Sequence, residues 1–356
     1  MNSKIENRKP KIASDTDGCA VRGCPKSSRR ISSFAFRPHL ILAALPLLLL
    51  TACTGGEPAG PRAIETRAAA RLERGRYLTE NVALCLTCHS EVDWKSAEVP
   101  IVPGTNGSGG PFPETSLPFP LNVPNITPDP ETGAGRWTDR QIARAIREGI
   151  GYDGRVLFPG MPYPFLRQMS DDDLAAVIAY LRSLPPVRKP VARTPLPPEV
   201  QQSLQPMPIT GKVAAPDFSD PLKRGAYMTS LALCADCHTP LDERGQPIQA
   251  LAFSGGRVLV GPWGTVASAN ITPDPSGIAH YDEALFLKTM HTGNPGGRQL
   301  NPIMLTSYFR HMTDDDLNAI FAYLRTLKPV AHRVDNTEPP TDCRLCRQKH
   351  GYGNRN

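Results

Sequence analysis

The sequence predicts a mainly α protein made of two tandem domains of like design, each a few helices, joined by a Pro-rich linker. Three observations carry that prediction. A Cys-x-x-Cys-His pentapeptide occurs twice, as Cys85-Leu86-Thr87-Cys88-His89 and as Cys234-Ala235-Asp236-Cys237-His238. The segments around the two copies match one another in order and spacing, as internal repeats do. Each repeat opens and closes on helical patterns, and a run of prolines separates the two.

The order along the chain is as follows. Residues 1–52 read as an export signal of lipoprotein type. Arg29, Arg30 and Arg37 precede the apolar run Leu40–Leu50, which is too short to span a bilayer and is interrupted by Pro46. The run ends in Leu50-Thr51-Ala52-Cys53, which resembles a bacterial lipobox and implies cleavage before Cys53 and acylation of its thiol. An ordinary cleaved signal or an uncleaved anchor is the alternative. This segment holds nine Lys and Arg against three Asp and Glu, leaving 31 of each sign in the rest of the chain. The formal charge of +6 therefore belongs to the targeting segment and is no argument for nucleic acid.

Residues 53–67 are a Pro/Gly/Ala-rich tether. The first repeat runs over 68–187, the linker over 188–217, the second repeat over 218–330, and a Cys-containing tail over 331–356. The closing helix of each repeat is announced by Ser170 or Thr313 at the N-cap. Three aspartates follow, complementing the positive end of the helix dipole. Leu174, Val177, Ile178 and Leu181 then recur at helical spacing until Pro185-Pro186. A middle helix is expected from Thr138 to Gly149 and from Asp282 to Gly293. The opening helices carry Gly75 and Tyr77, or Gly225 and Tyr227, and glycine there allows close crossing of the closing helix near Tyr180 or Tyr323.

The pentapeptide is the attachment signature of c-type haem. Two thiols two residues apart can form thioethers to both vinyl groups of one porphyrin, and the following histidine becomes the proximal iron ligand. Two copies predict two covalent haems, on Cys85, Cys88 and His89 and on Cys234, Cys237 and His238. Three helices wrapped round a flat apolar cofactor then have the cofactor as part of their core.

The order of motifs resembles class I cytochrome c over both repeats. Asn125-Ile-Thr-Pro-Asp-Pro130, repeated as Asn270–Pro275, together with Gly-x-x-x-x-Pro-Gly-Met-Pro and Met-Ser-Asp-Asp-Asp-Leu, is similar more narrowly to the cytochrome subunits of bacterial membrane-bound alcohol and gluconate dehydrogenases. Those subunits usually carry three haem motifs and a C-terminal anchor. This chain shows two motifs and an N-terminal anchor signal.

For the sixth iron ligand, the first repeat has no histidine after His89, so methionine is expected. Met169 and Met312 precede the closing N-caps and suit a hydrophobic staple with Leu174 and Leu317. Met161, in the stiff Pro159-Gly160-Met161-Pro162, and its counterpart Met304 are the expected axial ligands. His280, His291 and His311 are the alternatives in the second repeat. Methionine/histidine ligation closes both coordination positions and raises the potential, which suits passage of single electrons. Asn125, Asn270, the Trp137 indole and the Tyr281 hydroxyl are candidate propionate contacts, or the Asn-x-Thr-Pro motif merely makes a turn.

Cys343 and Cys346, with His350, form the remaining cluster. Arg347 stands where a haem ligand would be needed, so no third haem domain is expected. A disulfide is the plain reading in an oxidising compartment. A metal site lacks an evident fourth ligand, and redox activity is the third option.

The function expected is a periplasm-facing diheme electron carrier, tethered by lipid to a membrane, with the outer one favoured by Thr54. A dehydrogenase or reductase would supply electrons, and a cytochrome or oxidase would accept them. A variant makes it the electron-transfer subunit of an alcohol, aldehyde or sugar-acid dehydrogenase. The enzymatic rival is a diheme peroxidase, which needs one haem with an open site. A thiosulfate-oxidising site needs a cysteine ligand that neither repeat offers.

Overall fold

The computed structural model describes residues 61–117 and 119–353. The export signal and Cys53 lie outside the described residues. Pro58–Asn356 forms one compact unit.

In the first repeat, α1 (Pro61–Tyr77) leads through a π-turn (Leu78–Val82) to the short helix α2 (Cys85–Cys88). A two-residue ladder pairs β1 (Gly110–Pro111) with β2 (Asn122–Val123). Three helices follow: α3 (Asp139–Glu148), α4 (Tyr163–Leu166) and α5 (Asp171–Ser183). The linker carries α6 (Pro198–Ser203). The second repeat has α7 (Pro221–Leu231), α8 (Cys234–His238) and an antiparallel pair, β3 (Val258–Gly261) with β4 (Gly264–Ala267). It ends with α9 (Glu283–Thr292), α10 (Thr306–Phe309) and α11 (Asp314–Leu324). After it, β5 (Thr341–Asp342) pairs with β6 (Lys349–His350).

The caps fall where the sequence puts them. Thr138 accepts from Gln141 N while Gln141 accepts from Thr138 N, a full capping box, and Gly149 closes α3 at φ 66°. Asp282 and Gly293 do the same work for α9, with a single side-chain cap bond. Two expectations need correction. Helix α1 begins at Pro61, inside the stretch expected to be a tether, because proline suits the first helical position and Ala63 and Ala68–Ala70 are strong helix formers. The linker also holds one short exposed helix, α6, again started by proline.

Opening and closing helices cross in contact. A Cβ on Gly75 would lie 2.0 Å from the Ala176 carbonyl oxygen, and one on Gly225 would lie 1.9 Å from that of Ala319. Tyr180 and Tyr323 flank these crossings through their Cβ atoms. The repeats differ by one residue here: Tyr77 precedes Cys85 by eight positions and Tyr227 precedes Cys234 by seven. The π-turn absorbs the extra residue. Ala83 N donates to Leu78 O, five residues back, whereas Ala232 N donates to Met228 O, four back. Both paths then reach a leucine in the left-handed region, Leu84 at φ 49° and Leu233 at φ 59°, directly before the first cysteine.

One apolar core runs through both repeats, from Leu78 and Leu174 to Leu231 and Leu317. A smaller cluster joins Trp94 and Val99 to Leu259, Trp263 and Val266, with the two indoles edge to face at 4.8 Å. The polar contacts between repeats are reciprocal. Tyr77 donates to Asp316 Oδ2 (2.5 Å) and accepts from Thr313 N (3.2 Å). Tyr227 donates to Asp173 Oδ2 (2.7 Å) and accepts from Ser170 N (3.0 Å). Each tyrosine thus satisfies the N-cap amide of the other repeat's closing helix. Within each repeat an arginine completes the cluster, Arg74 on Asp173 (2.8 Å) and Arg224 on Asp316 (2.6 Å).

Candidate haem sites

The positive-φ leucine turns the chain sharply, and the following helical turn carries two thiols and a histidine. All four thiols of the two pentapeptides are free. Burial pushes them up, Cys85, Cys234 and Cys237 to about 12 and Cys88 to about 11, so they are neutral thiols. Cys88 is exposed and lines a cavity. That cavity, about 310 Å³, is lined by Thr87, Cys88, Val92, Trp94 and Phe112 among others.

The two histidines are buried and held alike. His89 Nδ1 lies 2.8 Å from Pro124 O, and His238 Nδ1 lies 2.7 Å from Ala269 O. A carbonyl can only accept, so Nδ1 carries the proton and Nε2 presents its lone pair. Burial lowers the basicity of both rings, which favours the neutral imidazole that iron requires.

The repeated Asn-Ile-Thr-Pro-Asp motif accounts for those carbonyls. Asn125, directly after Pro124, accepts from Thr127 N (2.9 Å) and Oγ1 (2.7 Å) and donates to Val187 O (2.8 Å). Asn270, directly after Ala269, repeats this with Thr272 and Val330 O. Both amides are buried and their hydrogen bonds are spent inside the protein. The turn reading therefore accounts for Asn125 and Asn270, and their engagement leaves no donor directed at a propionate. Trp137 packs against Tyr152 at 4.7 Å, and Tyr281 packs against His280 at 4.8 Å.

Among the methionines, Met169 and Met312 are sealed in the core at 1% and 3% exposure, beside Leu174 and Leu317. Met161 and Met304 are half-buried and border that core. Met161 N donates to Phe158 O (3.0 Å), and Met304 N donates to Asn301 O (2.9 Å), so short turns hold both. Of the rival histidines, His280 and His311 are exposed, and His291 bonds to Arg310 O and Asp314 Oδ1. The donor set fits haem c twice over: two free thiols, an oriented imidazole and a half-buried thioether in each repeat.

The thiols of Cys343 and Cys346 are free and face two imidazoles, one of which the sequence pattern did not reveal. His332 Nε2 is 3.3 Å from Cys343 Sγ, and His350 Nε2 is 3.1 Å from Cys346 Sγ. The only signal for His332 was its place eleven residues before Cys343. The Pro124 and Ala269 carbonyls were also missed, although each stands immediately before the repeated motif.

The cytochrome c family model matches residues 72–185 and 222–328. The chain is similar to the fructose dehydrogenase cytochrome subunit of Gluconobacter japonicus, 29% identical over 319 residues, covering 83% of this chain and 60% of that protein. It is 32% identical over 293 residues to the cytochrome c subunit of a quinone alcohol dehydrogenase of Gluconacetobacter polyoxogenes, covering 73% of this chain and 57% of that protein. A diheme cytochrome c-type protein of Cereibacter sphaeroides is 28% identical over 260 residues, covering 69% of this chain and 82% of that protein. The chain thus spans less than two thirds of the dehydrogenase subunits and most of the diheme protein.

Proposed function

The chain belongs to the cytochrome c family, and from that premise we propose that it is a diheme electron carrier. Haem c supplies a one-electron iron couple at each of two sites. Cys85 and Cys88, and Cys234 and Cys237, would hold the two groups covalently. His89 and His238 would offer Nε2 to the iron, each ring fixed by its backbone carbonyl. Met161 and Met304 are the thioethers that would ligate the iron as well, leaving it no position for oxygen or peroxide. Trp137 and Tyr281 are the propionate-side candidates. The observation that carries this reading is the pair of imidazoles whose Nδ1 atoms are pinned 2.8 and 2.7 Å from carbonyls beside free thiols.

The reading extends to export into a bacterial periplasm and a lipid anchor on Cys53. No described helix is long and apolar enough to cross a membrane. Electrons would come from a dehydrogenase and leave to a cytochrome or oxidase. A second reading, the electron-transfer subunit of an alcohol, aldehyde or sugar-acid dehydrogenase complex, is supported by the names of the similar proteins. Co-purification with a dehydrogenase from the native membrane would decide between them.

The test is a potentiometric titration with spectra of the exported protein, beside its intact mass. Two tetrapyrroles, an acylated Cys53 and two low-spin centres are expected. Met161→Ala and Met304→Ala should each convert one centre to high spin. A wild-type high-spin centre that consumes peroxide would replace the carrier by a peroxidase.

A further inference from the structure

We propose that His332, Cys343, Cys346 and His350 bind a structural zinc ion outside both haem sites. The donor atoms of these four side chains all lie within 4.8 Å of one another. His332, Cys346 and His350 are buried at 1%, 2% and 5% exposure, and Cys343 is half-buried. Zinc bonds of about 2.3 Å to sulfur and about 2.0 Å to nitrogen span a tetrahedron with edges of roughly 3.3–3.8 Å. Small side-chain rotations bring the four atoms to that size.

The surroundings are built for it. His332 Nδ1 lies 3.0 Å from Ser254 O, a carbonyl that can only accept, so the imidazole turns its Nε2 lone pair toward Cys343. The two cysteines sit on a tight knuckle: Cys343 N donates to Gln348 O (2.9 Å), Arg347 N donates to Cys343 O (3.0 Å), and Arg347 turns at φ 57°. The β5–β6 pairing places His350 opposite Thr341 and so returns it to the thiols. Gly256, at φ +90°, forms the floor. A Cβ there would lie 2.6 Å from His332 Cε1 and 2.8 Å from His350 Nε2.

Two soft thiolates and two imidazoles in a closed tetrahedral set select zinc over the hard cations, and four protein ligands leave no position for substrate. A disulfide would use the thiols and leave two buried imidazoles converging on nothing. Zinc uses all four groups, releasing the two thiol protons to solvent. The ion would staple the segment after the second repeat onto the Ser254–Gly256 loop. That loop also supports the second haem's proximal side, since Gly255 N donates to His238 O (2.8 Å).

Zinc analysis of the exported holoprotein, purified without chelator from zinc-replete cells, tests this without reference to haem activity. One zinc per chain is expected, with a zinc-edge X-ray absorption shell of two sulfurs and two nitrogens. Cys346→Ser and His332→Ala should each lower zinc content at least tenfold while retaining two haems. Zinc below about a tenth per chain overturns the proposal, whether the thiols are free or the chain is two mass units lighter through a Cys343–Cys346 disulfide. A zinc shell without sulfur overturns it equally.

Discussion

A single hydrogen decides the crossing of the opening and closing helices. At Gly75 and Gly225 the opposing carbonyl oxygen sits closer to where a Cβ would stand than any side chain tolerates, and its owner is backbone that cannot rotate away. Alanine normally favours a helix over glycine by about 1 kcal/mol, so propensity alone predicts that Gly75→Ala and Gly225→Ala stabilise. Overpacking of this severity costs roughly 1–3 kcal/mol or more and opposes that gain. Net destabilisation is therefore expected for both variants, read as a lower denaturant midpoint with an unchanged slope. A higher midpoint would mean that the helices can part without loss. The same reasoning at residue scale explains why His89 and His238 share one device. A carbonyl fixed by a buried asparagine is rigid, and a rigid acceptor fixes both ring orientation and tautomer.

Elements carry the second level of control, and here local signals suffice for some features and fail for others. Thr138, Ser170, Asp282 and Thr313 announced four helix starts because capping is a contact between residues two or three apart. Gly149 and Gly293 announced two ends because only a residue tolerant of positive φ ends a helix that way. The two Cys-x-x-Cys-His pentapeptides were legible for the same reason, since each is contained in five consecutive residues. The π-turn was hidden because it shows only when the two repeats are counted against each other. His332 was hidden because its partners lie in a different turn of chain and the fold alone brings them together. The capping box gives a direct test at this scale. Thr138→Ala removes the acceptor for Gln141 N and is expected to cost about 1 kcal/mol in chemical denaturation. Asp282→Ala in the second repeat should cost a similar amount, and the two should add because the sites share no partner. Strong non-additivity would show that α3 and α9 are coupled through the shared core.

At the scale of the whole molecule, a shared apolar core and a reciprocal pair of tyrosines bind the two repeats to each other. Tyr77 belongs to the opening helix of one repeat yet satisfies the N-cap amide and a buried aspartate of the other, and Tyr227 returns the contact. Desolvation raises both phenols, with Asp316 and Asp173 adding to it, so the hydroxyls remain donors at any physiological pH. The aspartates are pinned in turn by Arg74 and Arg224, which makes each cluster a chain from one repeat's helix through a carboxylate to the other's. Tyr77→Phe or Tyr227→Phe leaves the ring in place but removes the hydroxyl from an N-cap amide and from a carboxylate, Asp316 or Asp173, that remains buried. A loss of about 1–3 kcal/mol is expected for each. With a continuous core beneath those contacts, the protein should unfold in one calorimetric transition whose calorimetric and van't Hoff enthalpies agree. The double variant should lower that transition and begin to split it, because the cross-repeat contacts weaken while the helix crossings within each repeat are untouched. Two resolved transitions in the unaltered protein would show instead that the repeats fold independently and that the reciprocal tyrosines only align them.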